Sequence, residues 1–165
     1  MGVNVFLFMR SAMRSASRRW PAIYEALAAA KEPYKGPNPR QKVQYRCASC
    51  SKGFSGKEVS IDHIVDCGTL KEWGDVEGFM KRLFCGKEGL QVLCHPCHGV
   101  KSHAAKQGIS LEQAAIEKKA IEFCKQSSDA VVKYLAKLGY SPTQTSNASK
   151  RRILIEQHFQ KDLPK

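Results

Sequence analysis

Leu90-Gln91-Val92-Leu93-Cys94-His95-Pro96-Cys97-His98-Gly99-Val100-Lys101 is the stretch that decides the fold. A short apolar strand runs into a Cys-x-x-Cys knuckle, and a histidine follows the second cysteine without a gap. Upstream, Cys47 and Cys50 repeat the same spacing. Four thiolates in two such pairs suit a tetrahedral structural zinc site. The metal would close the long loop between them into a module whose own apolar content is small. Two disulfides or a thioredoxin-like redox pair are the competing readings, but no βαβ pattern surrounds either knuckle.

Between the knuckles, Glu58-Val59-Ser60-Ile61-Asp62-His63-Ile64-Val65 carries β-branched residues at alternating positions and reads as a strand. Leu90–Leu93 can pair with it, giving a hairpin with a long excursion between its strands. From His98 to Lys106 the sequence predicts a modest helix ending near Gly108, so a ββα unit results. Strict alternation sends Asp62 and His63 to opposite faces, and the strand is expected to end or twist at His63 if both serve one site.

These residues resemble the HNH, or ββα-metal, endonucleases, in particular members with the pattern Cys-x-x-Cys, Asp-His, Leu-x-x-Leu-Cys-x-x-Cys-His-x-x-Lys. Small phage-encoded HNH endonucleases are especially similar. The resemblance implies an α+β protein with a ββα-metal core and structural zinc on Cys47, Cys50, Cys94 and Cys97, flanked by N- and C-terminal helices. It implies a metal-dependent DNA endonuclease in which Asp62 and His98 bind one divalent cation, Mg2+ or Mn2+, with His63 off the metal as general base. Neutral imidazole takes a proton from the attacking water, an ordinary task for histidine near neutral pH. The products would carry 5′-phosphate and 3′-hydroxyl ends, and Lys101, one turn after His98, would contact a phosphate.

The ordinary readings of the same residues are an exposed carboxylate beside a hydrogen-bonded imidazole, and His98 as a helix cap or a fifth candidate for zinc. His95 is expected to face solvent and His103 to lie around the helix from His98. Ser102 stands where the His-rich toxin branch of the superfamily has a second helix histidine, which favours a hard cation over catalytic zinc. The family's middle asparagine falls at Gly89. Glycine there could brace the loop through its backbone or serve as a turn residue before the second strand, with Glu88 or Asp66 as substitute carboxylates, and it also supports an inactive relative.

The net charge of +12 is unevenly spread: residues 1–46 carry +7, 47–107 carry +1, 108–140 carry +1 and 141–165 carry +3. Basic flanks around a nearly neutral centre suit a polyanion held by arms, solubility being the plainer reading. Candidate DNA contacts are Arg10, Arg14 and Arg18 on one helical face, Arg19, then Lys35, Arg40 and Lys42 in a segment 32–42 read as a linker. Lys101 and the run Lys150-Arg151-Arg152 complete the set, that run sitting at the unfavourable end of a helix dipole. Residues 1–42 are thus expected to form a basic helical arm and linker, 43–107 the nuclease core, and 108–165 a helical extension.

Pro21 is expected to open a helix through Ala30, and Leu70, Trp73, Phe79, Met80, Leu83 and Phe84 to form a satellite core over the hairpin. Ser110-Leu111-Glu112-Gln113 reads as a capping box opening a helix to about Lys125. A second helix runs from about Ser128 to Gly139, and a third holds Ile153, Leu154, Ile155, His158 and Phe159. The apolar run Val3–Met9 is too short to span a bilayer, and no basic residue precedes it as a secretion signal would require. Seven cysteines then fit a reducing compartment, with Cys67, Cys85 and Cys124 as buried thiols and the chain in the cytoplasm, the host's if it is phage-encoded. Besides the endonuclease, two further classes remain: a zinc-stabilised DNA-binding protein without catalysis, and a phage packaging or interaction accessory with a phage or host protein partner.

Overall fold

The computed structural model describes residues 4–161. The chain divides into two compact units, Met1–His98 and Gly99–Lys165. The architecture is mixed α+β, with seven α-helices and two small antiparallel sheets among the described residues.

In the first unit, α1 (Val5–Ser17) and α2 (Pro21–Ala29) precede β1 (Lys31–Pro33), β2 (Val43–Arg46), β3 (Gly53–Phe54) and β4 (Val59–His63). Then come α3 (Asp75–Leu83), a 3-10 turn (Lys87–Gly89), β5 (Leu90–Cys94) and the start of α4 (His95–Gln107). The Asn4 side chain accepts from Leu7 N–H and caps α1. Pro21 occupies the first turn of α2, where its missing N–H costs nothing.

Strands β4 and β5 pair antiparallel, with Asp62 opposite Gln91 and His63 opposite Leu90. The strand ends at His63, as the alternation argument requires. Helix α2 covers the hairpin through Ala22, Ala26, Leu90, Ile23, Ile61 and Cys85.

Two expectations are corrected here. Segment 32–42 is not simply a linker: β1, β2 and β3 form a second sheet, and a loop bridged by Tyr34 N–H to the Lys42 carbonyl joins the first two strands. The satellite core forms between α1 and α3 rather than over the hairpin. Phe6, Met9 and Met13 of α1 pack on the buried cluster of Cys67, Leu70, Phe79 and Leu83. These three side chains are half-buried, and their packing ties the basic N-terminal helix to the cluster rather than leaving it trailing. Trp73 and Met80 stay exposed, although Trp73 meets the Phe6 ring edge-on at 5.3 Å. Cys85 and Cys124 are half-buried, and only Cys67 of the three remaining thiols is buried.

The second unit holds the rest of α4 with α5 (Leu111–Phe123), α6 (Ser128–Lys137) and α7 (Ala148–Lys161). Its core is Ala120, Val131, Leu135 and Ile155, flanked by Phe123, Leu154 and Phe159. Ser110 accepts from Gln113 N–H and Ser127 from Ala130 N–H, so side-chain hydroxyls cap both α5 and α6. Gly139 follows α6 at φ 89°, the left-handed conformation that ends a helix at little cost for glycine.

Candidate metal centre

Cys47 and Cys50 lie in the turn after β2, Cys94 is the last residue of β5, and Cys97 is in the first turn of α4. The first knuckle is closed by backbone bonds from Ser51 N–H to the Cys47 carbonyl and from Cys47 N–H to the Lys52 carbonyl, both 2.9 Å. Ser51 takes φ 59° to complete this turn. Ala48 N–H then donates to the Val92 carbonyl at 2.8 Å, and Cys94 N–H to the Cys47 Sγ at 3.3 Å, drawing the two knuckles together.

All four Sγ atoms lie within 4.8 Å of one another. Four sulfurs arranged tetrahedrally about one zinc at about 2.3 Å are roughly 3.8 Å apart, so the set closes on a zinc ion with a small inward adjustment. Burial raises the Cys47 thiol, but the backbone N–H groups of Cys50, Cys94 and Ser49 outweigh it and bring the pKa down to about 6. Burial and the neighbouring thiols of Cys97 and Cys47 push Cys94 up to about 12. Cysteine binds zinc as the thiolate, so a metal taking this set would release protons. These four residues fit a structural zinc.

A second cluster flanks this centre. Asp62 Oδ1 is 3.7 Å from His98 Nε2, and Asp62 Oδ2 accepts from Gln91 Nε2 at 3.0 Å. The two side chains thus approach each other beside the cysteine centre, Asp62 from the end of β4 and His98 from the first turn of α4. His63 is held differently: its Nε2 lies 3.0 Å from the Leu83 carbonyl at the end of α3. A carbonyl only accepts, so Nε2 donates in this bond.

Gly89 is also explained. Its carbonyl accepts from Ile64 N–H at 2.9 Å, immediately after His63, so backbone braces that loop. A Cβ at position 89 would meet Cys85 Sγ at 2.6 Å, leaving no room for a larger side chain on this backbone. Asp66 accepts from Gly68 N–H within its own loop, and Glu88 is exposed on the 3-10 turn. His95 is exposed, and His103 Nε2 is 2.7 Å from Glu117 Oε2 in the second unit. The residues that sequence reasoning missed are Gln91 and the Leu83 carbonyl. Gln91 was accessible in principle, because hairpin register places it across from Asp62. The carbonyl had no sequence signal.

The cationic residues fall into two groups. Arg14, Arg18, Arg19, Lys35, Arg40 and Lys42 are exposed, and Arg10 and Lys101 are half-buried. The Arg14 guanidinium lies 5.9 Å from the centroid of the Phe79 ring, joining α1 to its cluster. Arg151 and Arg152 have internal partners: Arg151 donates to the Thr145 carbonyl at 2.9 Å, and Arg152 to Glu156 at 2.7 Å while approaching Glu117 at 3.9 Å. Lys150 is exposed and reaches the Thr143 carbonyl and the Ser146 hydroxyl. The charge conflict at the start of α7 is thus relieved for Arg152 by carboxylates.

Compared with known protein families, curated proteins and solved structures, the chain matches none. No helix among the described residues is long and apolar enough to cross a membrane.

Proposed function

We propose that this protein is a metal-dependent DNA endonuclease of the HNH, or ββα-metal, type. The observation that carries the reading is the approach of Asp62 Oδ1 to His98 Nε2 at 3.7 Å, on a hairpin and helix that meet at the four-cysteine centre. In this role Asp62 and His98 hold one hard cation, Mg2+ or Mn2+, which supplies charge stabilisation at the scissile phosphate and the leaving 3′ oxygen. His63, held through Nε2 against the Leu83 carbonyl, is the general base in this role and takes a proton from the water that attacks phosphorus. Lys101 and the exposed cations of α1 and the 34–42 loop hold phosphates along the duplex. The products are 5′-phosphate and 3′-hydroxyl ends, and the four cysteines keep their zinc as a structural element.

The backbone brace from Gly89 to Ile64 supports this reading against an inactive relative, since the loop carrying the base is supported without an asparagine. The absent amide itself favours the second reading, a zinc-stabilised DNA-binding protein without catalysis. Supercoiled plasmid with Mg2+ or Mn2+ separates them. Wild-type protein should nick or linearise it, and His63→Ala should not, at concentrations where both retard DNA. Equal cutting by the two proteins would overturn the assignment; retardation without cutting by either would establish the second reading.

A further inference from the structure

Asp62 has two carboxylate oxygens with different surroundings. Oδ1 faces His98 Nε2 at 3.7 Å, and Oδ2 accepts the Gln91 side-chain N–H at 3.0 Å. Gln91 reaches it because the β4–β5 register sets the two residues directly opposite each other, and paired residues in a hairpin project to the same face. The chemistry of the partner matters as much as its place. The partner is a primary amide, which donates a hydrogen bond to Oδ2 and brings no charge of its own.

From this geometry we infer that Gln91 is a positioning residue for the cation site: it fixes the Asp62 carboxylate with Oδ2 engaged, so that Oδ1 and His98 Nε2 converge on one divalent ion. The inference rests on the proposed Asp62–His98 cation site and adds a residue that acts on the metal only through Asp62. Groups that orient a ligating carboxylate or imidazole in this way commonly change metal affinity by about 10- to 100-fold when removed. Gln91 is half-buried rather than sealed in the core, so an apolar replacement of similar length is accommodated at this position.

The test is Mn2+ binding to the full-length, zinc-loaded protein without DNA, measured by titration calorimetry and by electron paramagnetic resonance of free Mn2+. Four proteins are compared: wild type, Asp62→Ala, Gln91→Met and Gln91→Ala. Wild type should bind one Mn2+ per chain and Asp62→Ala should lose that binding. Both Gln91 variants should bind at least tenfold more weakly, with zinc content and melting temperature close to wild type. Methionine keeps the length and packing of glutamine while removing the donor, so agreement of the two variants assigns the loss to the hydrogen bond. Unchanged Mn2+ affinity in Gln91→Met, with binding lost in Asp62→Ala, overturns the positioning role and leaves the cation site standing. Equal binding, or none, in wild type and Asp62→Ala removes the cation site, and the role of Gln91 with it.

Discussion

The unit Gly99–Lys165 has one cluster of buried apolar residues, Ala120, Val131, Leu135 and Ile155, with Ala104, Ala114 and Ile116 buried outside it. The unit Met1–His98 divides its own among three: one under α1, one under α2, and one consisting of Cys47, Leu93 and Cys94 with Cys50, Phe54 and Cys97 around it. A cluster dominated by thiols gains little from burial alone. Where the helical unit is ordered by packing, the sheet-containing unit is ordered in large part by what its cysteines hold.

The strongest way to break this contrast is to remove the metal. Cys47→Ser, or a strong chelator, should release one equivalent of zinc and unfold the hairpin region, since structural zinc in small domains contributes on the order of 10 kcal/mol. Amide hydrogen exchange should show protection lost in β4 and β5 and retained in α5, α6 and α7. Retained hairpin protection without zinc would erase the distinction.

The converse variant is Leu135→Ala, at a fully buried position, expected to cost about 2–5 kcal/mol. Chemical denaturation followed by helical circular dichroism should report the loss, with zinc content unchanged.

A smaller effect is expected from Gly89→Ala, whose new Cβ would press on Cys85 Sγ. Overpacking of this kind costs about 1–3 kcal/mol, and the double variant with Cys85→Ala should recover much of it, a coupling that thermal melts can measure.

The smallest effect belongs to Glu117. The hydrogen bond from His103 first, and then Gln113 and Arg152, hold its carboxyl below the usual value. Its contribution is present above the ordinary carboxylate range and is lost as pH falls through the lowered folded value. His103→Ala should therefore lower stability near neutral pH by about 0.5–1 kcal/mol and make the acid limb of the stability curve shallower.

How much of this was legible in the sequence depended on the range of the interactions. The knuckles, the hairpin and its end at His63 are local patterns and formed where their spacing required; α4 begins at His95, three residues before the expected start, and at Ser110 the hydroxyl caps α5 while the Gln113 side chain turns to Glu117. Strands β1 and β3 left no comparable mark. The first contains Pro33 and the second is two residues long, so alternation cannot register, and their pairing depends on contacts made by β2. Helix α1 carried two superimposed signals: Phe6, Met9 and Met13 recur at i, i+3 and i+7, but the arginines drew the reading toward an arm. At the candidate cation site, the approach of Asp62 to His98 followed from the motif, while the Leu83 carbonyl behind His63 comes from the intervening helix. The partners of Arg152 likewise include Glu117, on another helix.

Strand β5 ends at Cys94 and α4 begins at His95, with no residue between them. That junction sets a rotational phase. A single residue inserted there would turn the helix by about 100° and advance it about 1.5 Å, carrying Cys97 and His98 away from their partners together. The residue count across the junction is therefore as constrained as the ligands on either side of it. Length variation in this chain should therefore collect in the loops, such as residues 64–74, and leave positions 90–98 free of insertions and deletions.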